Sequence, residues 1–543
     1  MIDVDGVQVP AEGTVLDACR AAEREVPALC QRDGVASGGH CRSCMVEVDG
    51  KLVAACCTRA KDGTHVRTAT EELLAYRHDL AELTLSESVP RGQTLETLTQ
   101  MGGRGDRYNR QITSGRQDVR HPYLRLDLEA CIRCRLCETV CNETQGQFVY
   151  AFEGRGAQTQ LSWGKGTLEQ AGCVSCGACV AACPSGAIRD RDRDRCEGVT
   201  EQQVVRTTCG YCGVGCALEV HVADGKIGYI EGVRESPVNR GHLCVKGRYA
   251  HRFVDHPDRL STPLMRIHGE LVPVSWERAI GFIADELLRL KGHVAGLSSS
   301  RCTNEENYLL QKWFRTSLAT HDVDCCARVC HAPSAAGLRA MFGTGAATGS
   351  LEDIELCDLL LVIGSNTTES HPVTGARVKQ AALRGIPLIV IDPRTTELAR
   401  YADVHLAPKP GTNLPLLHSL AHVLIDEELI DRVFIEERCL GFREYATFLR
   451  DLSPEVTQAI TGVDAARVRK AGRLYGRAKR PLEVHGLGVT EHYQGTETVM
   501  AICNLALLCG AVGRAGSGVN PLRGQNNVQG AADMGCQPDR LTG

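Results

Sequence analysis

Two cysteine runs constrain this chain more than any other feature. Cys131-x2-Cys134-x2-Cys137-x3-Cys141 is repeated as Cys173-x2-Cys176-x2-Cys179-x3-Cys183, with Pro184 closing the second run. Three thiols at such spacing clamp one face of a compact inorganic core. Two more sets have metal-ligand spacing: Cys30, Cys41 and Cys44 followed by Cys56-Cys57, and Cys209-x2-Cys212-x3-Cys216-x27-Cys244. The chain holds 28 cysteines in 543 residues. In a small secreted protein that number means disulfides. In a long chain whose opening MIDVDGVQVP lacks the charged and apolar regions of a leader, it points to metal sites. A net charge of -5 with no basic stripe excludes nucleic acid as an expected partner. No apolar run approaches the roughly 18 residues of a membrane span, so no transmembrane helix and no membrane partner are expected.

Residues 1–75 open on a hairpin pattern. Ile2 and Val4, the turn pair Asp5-Gly6, then Val7 and Val9 alternate as two short strands would. Thr14 is placed to cap a helix running to about Glu25. The loop Ser37-Gly38-Gly39 lets backbone wrap closely ahead of Cys41 and Cys44. Two close thiols with two distant ones suit a [2Fe–2S] core better than structural zinc, and Cys56 competes with Cys57 for the fourth place. Residues 76–122 hold His78 but no cysteine, and read as a helix followed by a surface connector. Residues 123–192 carry the doubled run, which is the bacterial ferredoxin pattern, where the fourth thiol of each run serves the other cluster. One [4Fe–4S] site is expected on Cys131, Cys134, Cys137 and Cys183, and another on Cys173, Cys176, Cys179 and Cys141. The alternating Arg and Asp of 189–195 read as a solvated linker.

From about residue 260 the pattern becomes α/β. A short apolar strand over 358–364, a helix over about 373–383 and a second strand over 387–394 form a βαβ unit, hence a doubly wound parallel sheet. Ligands of such sheets bind beyond the strand C-termini. That puts Gly364, Ser365, Asn366 and Asp392 within reach of a cofactor. Asp392 either accepts from a guanine or ribose group or simply forms its turn. No P-loop or complete GxGxxG follows these strands, so NAD is not expected to bind this chain directly. An apolar helix to about Leu508 leads into 518–530, a loop dense in Gly, Asn and Gln with Arg523 at its middle. Such residues make poor core but suitable lining for a large polar cofactor.

The set Cys209, Cys212, Cys216 and Cys244, trailed by Lys246-Gly247, resembles the N-terminal domain of molybdenum/tungsten bis-pterin oxidoreductases. Val329-Cys330-His331-Ala332-Pro333-Ser334, His492-Tyr493-Gln494-Gly495 and Asn520-Pro521-Leu522-Arg523-Gly524-Gln525 extend the resemblance. Nearly the whole chain resembles the α subunit of cytoplasmic, NAD-linked formate dehydrogenases. The resemblance implies a multidomain fold, α+β and then α/β. It begins with a β-grasp [2Fe–2S] domain (1–75) and a connector (76–122) that lacks the ligands of a His-plus-three-Cys cluster found in many relatives. A bacterial-type double [4Fe–4S] ferredoxin domain (123–192), a [4Fe–4S] domain (203–260) and doubly wound molybdopterin domains (261–543) follow. By the same resemblance Cys57 is the preferred fourth ligand of the first cluster. The implied cofactors are bis-molybdopterin guanine dinucleotide with Mo or W, one [2Fe–2S] and three [4Fe–4S] clusters.

The resemblance also assigns roles. Cys330 ligates the metal, His331 is its proton or orientation partner, Arg523 grips the carboxylate of formate, and Lys246 lies between cluster and pterin. A guanidinium fork suits a carboxylate on physical grounds, being planar, bidentate and always charged. Electrons would pass through the clusters to a separate flavin- and NAD-binding iron–sulfur subunit. Two rivals are a related enzyme with another substrate, such as nitrate, and a non-catalytic electron-transfer subunit like the large iron–sulfur subunit of complex I. Relatives continue well beyond the position of Leu541-Thr542-Gly543, through the rest of the pterin-binding architecture and a barrel domain. The expectation is therefore that this polypeptide alone holds iron but little Mo or W.

Overall fold

The structure, a computed structural model, describes residues 1–111, 117–196, 199, 202–290 and 292–542, with Asp194 and Arg195 as backbone only. It divides into two compact units. The first comprises Met1–Arg206, Leu218–Glu235 and Arg240–Ala250, and the second Thr207–Ala217, Ser236–Asn239 and His251–Gly543.

The first unit opens with the expected hairpin. Ile2–Val4 pairs antiparallel with Val7–Val9, and Asp5 and Gly6 take φ of 47° and 84° to make the turn. The hairpin edges a five-stranded sheet in the order Val7–Val9, Ile2–Val4, His65–Arg67, Met45–Val48, Lys51–Ala54. The helix Val15–Ala21 packs on it, with Thr14 and Asp17 capping each other reciprocally. It stops at Ala21 rather than near Glu25, because Glu23 turns to φ 55°. The helix Glu71–Glu87 runs across the boundary expected after residue 75 and docks through buried Arg77, which donates to the carbonyl of Met45 at 2.9 Å. Farther along it, buried Glu82 accepts the backbone N–H groups of Arg104, Gly105, Asp106 and Arg107. The glycine-rich connector is thereby tied down.

The double cysteine run folds as a structural repeat. Each triple-cysteine turn leads into a short helix, Leu136–Val140 or Ala178–Ala182. In the first turn Arg133 and Arg135 take φ of 55° and 61°, and in the second Ser175 and Gly177 take 56° and 71°. Left-handed residues at matching places aim backbone N–H groups at one centre. Strands Leu124–Asp127 and Ile188–Asp190 close the repeat as antiparallel neighbours. That pairing corrects the expectation of a solvated linker from Arg189. Asp190 faces inward, buried, where it accepts from the Tyr249 hydroxyl beside Arg248, because strand alternation turns one side chain of each Arg–Asp pair inside.

The second unit is built on a parallel sheet of five strands: β1 (Leu359–Ile363), β2 (Leu388–Ile391), β3 (Val404–Leu406), β4 (Pro481–His485) and β5 (Gly518–Pro521). Their order is β3-β2-β1-β4-β5, all parallel. Every residue of β1 is buried, and the pleat sends them to two cores. Leu360 and Val362 meet the helix Pro372–Leu383, while Leu359, Leu361 and Ile363 meet the helices Asn413–Asp426, Ala465–Arg477 and Gly495–Leu508. The order reverses between β1 and β4, the topological switch point at which such folds bind ligands. A separate parallel pair, Gly296–Ser298 with Val323–Cys325, precedes the Cys330 turn.

Candidate active site and cluster-binding residues

Cys330 ends the helical turn Ala327–Cys330, and the helix Ala332–Phe342 restarts at once, with Pro333 in its first turn. The thiol is buried against Gly524, whose N–H bonds it. Burial first of all raises its pKa, while the Gly524 N–H and the nearby Arg523 guanidinium pull it down. Arg523 donates through Nη1 to the His331 carbonyl at 3.4 Å and through Nη2 to the Gly345 carbonyl at 3.2 Å. Its own carbonyl accepts the N–H of Gly213 at 3.0 Å and bonds His371 Nε2 at 2.7 Å. Cys330, His331 and Arg523 are thus brought together from positions far apart in sequence.

His331 lies fully buried. Its Nδ1 is 2.9 Å from Ser334 Oγ, which is also 2.9 Å from His485 Nε2. Burial, then the charge of Arg523, pushes His331 down to about 3, and burial drives His485 well below its ordinary value. Both rings are therefore neutral near pH 7. Cys326, one helical turn before Cys330, donates to Gln525 Oε1 at 3.0 Å and accepts the Ser300 N–H at 3.2 Å.

At the switch point β1 and β4 end in glycines that touch. A Cβ on Gly364 would lie 2.6 Å from the Gly488 carbonyl carbon, and one on Gly488 2.7 Å from the Gly364 Cα. Only glycine permits that approach. Ser365 bonds Thr367, and Asn366 precedes the turn Thr367–Ser370. Asp392 accepts the Arg394 N–H at 2.8 Å, the turn-forming role, at the end of β2. Tyr493 of the His492–Gly495 motif is fully exposed.

Among the thiols of the first unit, those of the double run fall into two groups of neighbours. Cys134 and Cys137 each sense Cys131 and Cys183, and Cys176 and Cys179 each sense Cys173 and Cys141. Cys131, Cys134, Cys137 and Cys183 line one small cavity. Burial raises Cys134, Cys137, Cys173, Cys179 and Cys176, the last to about 12, and neighbouring thiols raise them further. A cationic core is what such a set lacks to ionise. Among the described residues no three His, Cys, Asp or Glu side chains close on a single metal ion.

The N-terminal set needs a correction. Cys30 hydrogen-bonds the thiols of Cys41 and Cys56, and Cys44 that of Cys56. Shared hydrogens lower Cys30 and bring Cys44 to about 7, while Cys41 and Cys56 rise. Cys57, the expected ligand, is exposed: it donates to the Ser37 carbonyl at 3.2 Å, and its thiol reaches the set only through Cys56, 3.5 Å away. The turn Ala54–Cys57, closed by a 3.1 Å hydrogen bond, sends Cys56 inward and Cys57 out.

Comparison with known proteins identifies what these sites belong to. The family model of molybdopterin oxidoreductases matches residues 259–541, more than half of the chain. The chain belongs to the molybdopterin oxidoreductase family. A molybdopterin oxidoreductase Fe4S4 domain matches 202–256, a 2Fe-2S cluster-binding domain 1–71 and a 4Fe-4S dicluster domain 130–187. The F420-dependent formate dehydrogenase subunit alpha of Methanocaldococcus jannaschii is 44% identical over 63% of this chain and 51% of its own. Formate dehydrogenase H of Escherichia coli is 43% identical over 62% and 49%. A probable oxidoreductase of Bacillus subtilis is 31% identical over 100% of this chain and 61% of its own. Acetylene hydratase from Pelobacter acetylenicus superposes with a TM-score of 0.51 at 25% identity, over 58% of this chain and 44% of that one. The chain spans about half the length of the first two relatives.

Ser300 Oγ, His331 Nε2, Thr490 Oγ1 and Asn526 Oδ1 are buried with no hydrogen-bond partner. Each such atom costs about 1–3 kcal/mol, and a large polar cofactor would satisfy them. The residues fit the group. Of the expected set, Cys209, Cys212 and Cys216 lie in the second unit, while Cys244 and Lys246 lie in the first, on and beside the helix Val245–Tyr249. Sequence reasoning passed over Gly213, Cys326, Ser334, His371 and His485. Only Cys326 and Ser334 carried a signal, by adjacency to Cys330. Among the described residues no helix is long and apolar enough to cross a membrane.

Proposed function

We propose that this molybdopterin oxidoreductase oxidises formate to carbon dioxide and passes the two electrons through its clusters to a separate flavin- and NAD-binding iron–sulfur subunit in the cytoplasm. The observation that carries the reading is the convergence of Cys330, Arg523 and the neutral His331 around Gly524. Cys330 would ligate Mo or W held by bis-molybdopterin guanine dinucleotide, and that centre, when bound, supplies the two-electron acceptor. Two of the five N–H groups of Arg523 hold backbone carbonyls, leaving others for the formate carboxylate. His331 is held neutral, so its part is orientation: its carbonyl fixes the guanidinium. Gly364, Ser365, Asn366 and the glycines after β4 border the crevice for the cofactor, with Asp392 near it as a turn residue. Lys246, beside Cys244, would stand between cluster and pterin.

The cluster ligands under this reading are Cys30, Cys41, Cys44 and Cys56 for [2Fe–2S]. The three [4Fe–4S] sets are Cys131, Cys134, Cys137 and Cys183; Cys173, Cys176, Cys179 and Cys141; and Cys209, Cys212, Cys216 and Cys244. The test is metal analysis with formate-dependent viologen reduction on protein purified anaerobically from its source. About fourteen iron atoms per chain, with Mo or W and formate-dependent reduction, support the reading. A complement of zinc overturns the clusters, and Mo or W present without formate activity overturns the substrate.

A further inference from the structure

The two ferredoxin sites have matching backbone frames, so the side chains reaching their sulfurs are what distinguish them. Beside Cys131, Cys134, Cys137 and Cys183, the Ile188 N–H donates to Cys183 Sγ at 3.4 Å and Ser185 Oγ lies 3.8 Å from it. Around Cys141, Cys173, Cys176 and Cys179, the N–H groups of Val149 and Ser175 donate to Cys141 and Cys173, each at 3.4 Å. Two buried rings are added there. Tyr150 donates its hydroxyl to Cys179 Sγ at 3.5 Å. His121 accepts the N–H groups of Tyr123 and Leu124 on Nδ1, at 3.1 and 3.0 Å. A nitrogen that accepts in this way carries no proton, so the ring's hydrogen is on Nε2. Nε2 stands 3.2 Å from Ser175 Oγ and 4.0 Å from both Cys173 Sγ and the Glu169 carboxylate. The charges nearby act against this difference, so the hydrogen bonds must outweigh them. Arg32 neighbours Cys134 and Cys183, and buried Arg248, which donates to the Cys176 carbonyl at 3.2 Å, is offset by Asp190 at 3.8 Å.

Hydrogen bonds to cluster sulfurs favour the more negative, reduced state and so raise the reduction potential. We infer that the cluster on Cys141, Cys173, Cys176 and Cys179 is the higher-potential member of the pair, with Tyr150 and His121 as the positioning residues that set the gap. When one electron is shared between the two, it rests there. The inference depends on the [4Fe–4S] assignment proposed above.

Redox titration of anaerobically purified protein, followed by paramagnetic resonance of the three reduced [4Fe–4S] signals, tests it, the ferredoxin pair being told from the third cluster by the magnetic coupling of two adjacent centres. Tyr150→Phe keeps the ring and removes only the hydroxyl. His121→Asn keeps an acceptor where Nδ1 stands and removes the distal N–H. Tyr150→Phe is expected to shift the reduction equilibrium of the higher-potential signal by about tenfold against reduction, about 59 mV for one electron, and His121→Asn, whose N–H meets Ser175 Oγ before Cys173, by a smaller amount in the same direction, each leaving the other signal in place. Iron per chain that matches the parent, with neither signal shifted or only the lower-potential one, overturns the inference. Parent protein lacking a coupled pair of [4Fe–4S] signals defeats the cluster assignment itself, and this inference falls with it.

Discussion

Gly213 offers a direct test of how Arg523 is held. It sits in the turn between Cys212 and Cys216, and a methyl group on its Cα would lie 2.4 Å from the Arg523 carbonyl oxygen and 2.5 Å from the Arg523 Cβ. Neither atom is the yielding tip of a side chain. Restoring ordinary contact at about 3.5 Å moves the loop by about 1 Å. Such overpacking costs about 1–3 kcal/mol of stability. Misplacing a substrate-positioning group by about 1 Å costs on the order of 10²-fold in rate. In the metal-loaded enzyme, Gly213→Ala is therefore expected to lower kcat/KM for formate by about 10²-fold, with iron per chain measured beside it because the same turn carries Cys212 and Cys216. Gly210→Ala, in the same turn, is the control, since a Cβ there meets nothing within 4 Å. Wild-type kcat/KM in Gly213→Ala, or an equal loss in Gly210→Ala, would refute the steric argument.

Three other outcomes are expected. Cys56→Ser should abolish the [2Fe–2S] resonance signal while Cys57→Ser keeps it, and the reverse result restores Cys57 as the ligand. Cys330→Ala should abolish formate oxidation with the iron–sulfur signals intact, and Arg523→Lys should lower kcat/KM about 10- to 100-fold through loss of the fork. Undiminished turnover in either puts the site elsewhere. Glu82 is pulled to about 2 by the backbone N–H groups of 104–107, below its ordinary 4.5. A depressed carboxylate adds stability that is full above its unfolded value and lost as pH falls through the folded one. Glu82→Gln should therefore melt below the parent at pH 7, by a gap that holds to about pH 5 and closes toward pH 2. A gap that does not change across that range would remove Glu82 as its cause.

Much of this molecule was legible from local pattern. The Asp5-Gly6 turn, the Thr14 cap, the double cysteine run and the βαβ alternation around Leu359–Ile363 depend on neighbours in sequence, and they lie where expected. Cys56 and Cys57 differ by one residue, and the hydrogen bond from the Cys57 N–H to Ala54 decides which one turns inward. Asp190 resembled linker until its partners, Arg248 and Tyr249, arrived from a later segment. Gly213, His371 and His485 meet Arg523 or Ser334 across long stretches of chain, and no spacing rule reaches that far.

The crossed fourth thiols of the ferredoxin repeat bear on how the protein is assembled. Cys183 follows the second helical turn yet faces the first three-cysteine set, and Cys141 does the reverse. Neither half of the repeat owns a complete set of ligands. A nascent chain paused after Cys141 could not finish a cubane from this repeat, and losing either core would loosen an anchor of the other. Under the proposed ligand sets the two metal centres are therefore inserted and lost as a coupled pair, which makes this stretch of the polypeptide an all-or-none step in maturation.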